Sequence, residues 1–188
     1  MNVKNKWQLG IIIGIGLIIF VCVVVPFFRE KYIYWRLGYV DIAPILIREG
    51  DLPPGFNAGN ITDIEPYYYN SARGKEQEIL AKDGSKAGNV RIYLFASNSE
   101  QSDMFTGASQ VESQEGIIPY DAGDIGDCES CSSIFATDYG VYVVFTRCTA
   151  LVYMDLSPEY LELKKYGFDY LVAHAKRLDE SLRLIACQ

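Results

Sequence analysis

A single histidine, His174, stands in 188 residues, and no lysine or arginine occurs between Arg91 and Arg147. The first scarcity excludes any metal site or catalytic pair that needs two imidazoles. The second leaves a long stretch with nothing to hold nucleic acid or an anionic lipid surface. The serine-rich stretches lack a nucleophile elbow, and the glycines of "GIGLIIF" lie in an apolar run, where they form no phosphate loop. Among 24 acids a carboxylate pair for glycoside hydrolysis cannot be singled out. "NIT" at Asn60 to Thr62 matches a glycosylation sequon, which matters only in a eukaryotic secretory route. No enzymatic activity and no cofactor are expected.

Long apolar runs are not lacking. "LGIIIGIGLIIFVCVVVPFF", Leu9 to Phe28, holds twenty residues without a charge. As a helix at ~1.5 Å per residue it spans ~30 Å, the thickness of a bilayer's hydrocarbon core. The basic start "MNVKNK" suits a signal peptide, but no small-x-small cleavage site follows. Nor do small residues precede Cys22 as at a lipidation site. The expected order is a basic tail at 1–8, a transmembrane helix at 9–28, an interfacial collar at 29–40 and an extracytoplasmic domain at 41–188. In the collar Tyr32, Tyr34, Trp35 and Tyr39 interleave with Arg29, Lys31 and Arg36, the mixture of rings and cations that favours the headgroup layer. Gly10 and Gly14 make a GxxxG pair, better read as chance glycines than as a helix-pairing motif. Charge does not orient the helix, because Lys4, Lys6 and the terminal amine balance Arg29, Lys31 and Arg36.

The cysteines supply the orientation. Cys128, Cys131, Cys148 and Cys187 are an even number behind an export-type segment, which points to two disulfides and an oxidising compartment. The expected topology is N-terminus in, C-terminus out. If Tyr139-Gly140 turns a hairpin between "SSIFATD" and "VYVVFTR", Cys131 falls opposite Cys148, leaving Cys128 for Cys187. The other favoured pairing is Cys128 with Cys131 and Cys148 with Cys187. A redox role for "CESC" is disfavoured, since Asp127 and Glu129 would raise a thiol pKa. Zinc is disfavoured as well, for want of a second close-spaced pair.

Around this motif the charge is one-sided. Nine acids lie between Arg91 and Arg147 (Glu100, Asp103, Glu112, Glu115, Asp121, Asp124, Asp127, Glu129 and Asp138). Residues 37–188 carry 12 basic and 23 acidic groups, a net of −11, against five basic and one acidic before them. Asp121, Asp124 and Asp127 stand three apart with glycines between, oxygen ligands a calcium ion can take, although the spacing is not that of an EF-hand. A solvated acidic loop is the plainer reading. Glu112, Glu115 and Glu129 mark an acidic surface suited to a cationic protein partner.

The domain reads as α+β, an antiparallel sheet packed with two helices. "DIAPILIREGDLPPGFNAG" is a short apolar element with a turn, and "NAGNITDIEPYYYN" an extended segment and loop. "QEILAKD" and "NVRIYLFAS" form a hairpin about Gly84 to Gly88. A helix is expected over 97–116, with Phe105, Ala108 and Val111 on one face. Strands follow in "SSIFATD", "VYVVFTR" and "ALVYMDL". A last helix starts at Ser157-Pro158, kinks or divides at Gly167, and carries Phe168, Leu171, Val172, Ala175, Leu178, Leu182 and Ile185 as a core stripe.

"DLPPGF", "VVFTRCTALVYMDL" and "YLVAHAKRLDESLRLIAC" resemble uncharacterised bacterial lipoprotein-type or sensor-like extracytoplasmic domains over most of 41–188. The resemblance implies the fold and the compartment and no catalytic residues. A membrane helix stands where such domains carry a lipidated cysteine. The expected function is that of an accessory subunit, anchored in the bilayer and docked on other membrane proteins. The rival expectation is a ligand-sensing or solute-binding module with a pocket lined by some of the 14 tyrosines.

Overall fold

A computed structural model describes residues 13–29, 32, 40–48, 50–64, 73–96, 101–102, 105, 118–120, 123–127, 131–137, 140–157 and 164–187. They belong to two compact units, Met1–Tyr39 and Val40–Gln188.

In the first unit a helix, α1, runs over 13–29 and widens into a π turn at Phe20–Val24, where the Val25 N–H donates to the Phe20 carbonyl. Pro26 explains the widening: it has no N–H to give, and its ring crowds the preceding turn. The side chains of α1 face outward, with Ile18 64 % and Phe28 66 % exposed. Among the described residues, no helix is long and apolar enough to cross a membrane. At ~1.5 Å per residue α1 covers roughly 26 Å, against ~30 Å of hydrocarbon. The expected beginning of the apolar helix, 9–12, lies outside the described residues. So do Lys31, Tyr34, Trp35, Arg36 and Tyr39 of the collar, while Tyr32 is helical and exposed.

The second unit is α+β. Seven strands, β1 (Phe56–Ile64), β2 (Arg73–Ala81), β3 (Lys86–Leu94), β4 (Ile118–Tyr120), β5 (Ser132–Thr137), β6 (Gly140–Arg147) and β7 (Ala150–Leu156), form one sheet in the order β1-β2-β3-β7-β6-β5-β4. Every pairing is antiparallel. A helix, α2 (Lys164–Ile185), packs on the sheet and meets β6. Its stripe Leu171, Ala175, Leu178 and Leu182 is buried. The spacing of four, three and four residues keeps these side chains on one face. Beneath them Val90 pairs with Met154 and Ile92 with Val152, and Val143 and Phe145 continue the same rows from β6. All six are fully buried. The opposite face carries a second cluster, Tyr93, Phe95, Phe135, Val144 and Leu151, with Phe105, Tyr142 and Tyr153 packed against it.

The β2–β3 hairpin lies where expected, closed by the Gly84 N–H to Ala81 and the Ala81 N–H to Ser85. Gly88 admits β7 to close range: a Cβ there would sit 2.0 Å from the Asp155 carbonyl oxygen. The last helix is continuous through Gly167, so the expected division there does not occur. The expected helix start at Pro158 lies outside the described residues, as does most of 97–116, of which Gln101, Ser102 and Phe105 are helical.

The first of the two expected disulfide pairings is overturned. Cys148 is bonded to Cys187, with Cα atoms 5.2 Å apart. Cys131 is also disulfide-bonded, with a partner outside the described residues. The reason is register. β5 and β6 pair Thr137 with Gly140, two places from the pairing that a Tyr139-Gly140 turn would set, so Cys131 lies level with Thr146. Cys148 is in no strand. It occupies the two-residue turn between Arg147 and Ala150 at φ 51°, a left-handed conformation uncommon for a residue with a Cβ.

Candidate functional site

Residues 40–53 form a strap between α2 and β2. Its sequence explains both its path and its burial. Pro44 starts a single 3-10 turn, Ala43–Ile45, and the Asp41 carboxylate accepts the Ala43 N–H at 3.0 Å. Ile42, Ile45, Leu46 and Ile47 point inward. On the sheet side the Ile47 N–H donates to Gln77 Oε1 at 2.8 Å.

On the helix side three ionisable groups meet. Arg177 Nη2 donates to the Leu46 carbonyl at 2.6 Å and to Asp51 Oδ2 at 2.8 Å, and lies 3.1 Å from His174 Nδ1. Asp51 Oδ2 also takes the Arg48 N–H at 2.6 Å and lies 3.3 Å from His174 Nδ1. His174 is 3 % exposed. Burial pushes its pKa down to about 4, the Arg177 charge pushes the same way, and Asp51 opposes them. The ring is therefore neutral, and its Nδ1 stands between the Arg177 donor and the Asp51 carboxylate acceptor. His174 Nε2 is buried and has no hydrogen-bond partner. With Asp51 it lines a pocket closed by Ile79, Met154 and Leu156 of the sheet and Tyr170 of α2. The space open to a water's centre is about 10 Å³. That is room for roughly one water molecule and too little for an organic ligand.

Two residues beyond Arg177 on α2, Asp179 centres a second polar cluster that fastens the acidic loop. Asp179 Oδ1 accepts from Arg147 Nε at 2.6 Å and from the Gly126 N–H at 3.2 Å, and Asp179 Oδ2 accepts from Arg147 Nη2. Asp127 Oδ1 lies 3.4 Å from Arg147 Nη1, and Asp127 Oδ2 accepts the Cys148 N–H. These hydrogen bonds to Asp179 raise the pKa of Arg147 against the effect of burial. The loop, the β6–β7 turn and the end of α2 are thus joined by two aspartates, one arginine and the Cys148–Cys187 bond.

The expected calcium ligands divide accordingly. Asp127 turns to Arg147 and the Cys148 amide, Asp124 is exposed, and Asp121 lies outside the described residues. No group of three metal-ligating side chains occurs among the described residues. Glu112, Glu115, Cys128 and Glu129 also lie outside them. Elsewhere on the sheet the acids are paired as well: Glu76 with Arg91 and Lys86, Asp155 with Arg91, and Asp63 with Lys75. His174 was legible only as a lone helical histidine. Asp51 and Arg177 carried no signal, because they stand 126 residues apart with no local pattern between them. Comparison with family models, curated proteins and solved structures finds no match to this chain.

Proposed function

We propose that this is a non-enzymatic, single-pass membrane protein whose acidic, disulfide-braced domain serves outside the membrane as an accessory subunit of a larger assembly. The observation that carries the reading is α1: from Ile13 to Phe28 it bears no charge, and its large apolar side chains are exposed. An apolar helix uncovered on all sides is a poor water-soluble element and a good one for lipid. With the apolar residues 9–12 before it, the uncharged stretch of sequence reaches the length of a span.

Two further features support the docking role. The sheet ends in β1, a nine-residue edge strand with most of its side chains exposed, to which a partner's strand can add. The net charge of −11 after residue 36 suits a cationic partner surface. Two disulfides and the likeness to bacterial extracytoplasmic domains favour an oxidising compartment. The one-water space beside His174 gives the solute-binding alternative no support, and the engagement of Asp127 with Arg147 gives none to a calcium-dependent one.

The test is the native size of the protein extracted from its own membrane in mild detergent, with companions identified by mass. Migration within a larger complex is the expected result. A lone monomer would count against the accessory role.

A further inference from the structure

The strap 40–53 is the chain that leads from the first unit into the domain, and its polar contacts with α2 centre on Asp51 and Arg177. Asp51 Oδ2 receives the Arg48 N–H, Arg177 Nη2 and the edge of the His174 ring. Arg177 in turn secures the Leu46 carbonyl. Everything that faces His174 from the sheet is apolar: Ile79, Met154 and Leu156. From the strap it meets Asp51 and, farther off, the Arg48 charge; from its own helix it meets Arg177 and Tyr170. One anion therefore serves a site that already holds a guanidinium.

We propose that Asp51, His174 and Arg177 form an acid-operated latch, which holds the strap to α2 while the imidazole is neutral and releases it when the imidazole takes a proton. The geometry sets the direction. A protonated ring places two cations about 3.1 Å apart around a single carboxylate. Its Nε2 offers no relief, since that nitrogen faces the small apolar pocket without an acceptor. Opening the strap returns the ring to water, where protonation is easy. By linkage, each pH unit below the free imidazole's ~6.5 then favours the open strap about tenfold, until the latched form also protonates.

The rest of the domain has a separate hold on itself. The Cys148–Cys187 bond ties the chain just beyond α2 to the β6–β7 turn, and Asp179 ties the helix to Arg147 of β6. Release is thus local. If the protein is anchored as proposed above, an open strap adds up to roughly 45 Å of tether between anchor and domain. The latch itself does not depend on that reading.

The experiment is hydrogen exchange on the full chain in detergent micelles at pH 7 and pH 5, corrected for intrinsic rates. It compares the strap amides of Leu46, Ile47 and Arg48 with those of β3 and β7. The expected result is a fall in strap protection of about 20-fold, with β3 and β7 unchanged, and no fall in His174→Gln. Asp51→Asn should leave the strap open at both pH values. Strap protection that does not change with pH, or that is lost together with β3 and β7, overturns the latch. So does a pH response that persists in His174→Gln. Should that variant not fold, the comparison of strap with sheet in the unaltered chain still decides.

Discussion

Asp179 of α2 holds Arg147 of β6 through both of its carboxylate oxygens, and neither residue is more than 7 % exposed. The pair anchors the helix to the hairpin end of the sheet and, through Asp127 and the Gly126 amide, the acidic loop to both. A bidentate arginine–carboxylate contact out of water is strong in place and costly to break on one side. Asp179→Leu should therefore destabilise the domain by about 3–5 kcal/mol in denaturant unfolding. Adding Arg147→Met should recover most of the loss, since the stranded charge is gone. A double variant as unstable as the single one would show that the pair's energy lies elsewhere.

The Cys148–Cys187 bond closes a segment of 39 residues across β7 and α2. Replacing both cysteines with serine should cost about 2–4 kcal/mol, by the entropy returned to the unfolded chain. Peptide mapping without reductant should recover residues 148 and 187 in one linked species, and Cys131→Ser should leave that species intact. A linked peptide joining Cys131 to Cys148 would contradict the register of β5 and β6.

The pH dependence of stability has a definite sign. The folded pKa of His174 is about 4, below the ~6.5 of a free imidazole, so the unfolded chain takes up the proton first. The stabilisation is complete above pH ~6.5 and is lost as the pH falls toward 4, by up to about 3 kcal/mol. Urea midpoints measured across that window should drop more steeply in the unaltered protein than in His174→Gln. Parallel slopes would remove the histidine from the account.

Gly88 is a steric requirement, not a flexible joint. With β7 so close, Gly88→Ala must push the Asp155 backbone away and should destabilise by about 1–3 kcal/mol. Gly84→Asn, in the turn of the same hairpin at φ 84°, has open space and an asparagine's tolerance of that conformation. Its thermal midpoint should move far less. Equal shifts would argue against the close β3–β7 approach.

Periodicity made some of this fold legible. The spacing of Leu171, Ala175, Leu178 and Leu182 identifies the buried face of α2, and the hydrophobic runs around Gly84 identify a hairpin. Local pattern failed where distance or exposure governs. β1 shows little alternation because an edge strand with both faces open has no side that must be apolar. The β5–β6 register was missed by two residues because either of two adjacent dipeptides can turn, and only the sheet as a whole chooses. Gly167 continues its helix because the packing of α2 outweighs one glycine's roughly 1 kcal/mol. The two polar clusters join residues from separate elements, Asp51 to Arg177 and Arg147 to Asp179, and nothing in a linear reading brings them together.

The claim on which the functional account rests is that α1 and the residues before it anchor the domain in lipid. Washing native membranes at alkaline pH strips peripheral proteins and leaves integral ones. The account predicts that the full chain stays in the membrane pellet and that a protease added outside sealed cells removes the domain. Recovery of the chain in the wash, or a domain that only permeabilised cells expose to protease, would contradict it.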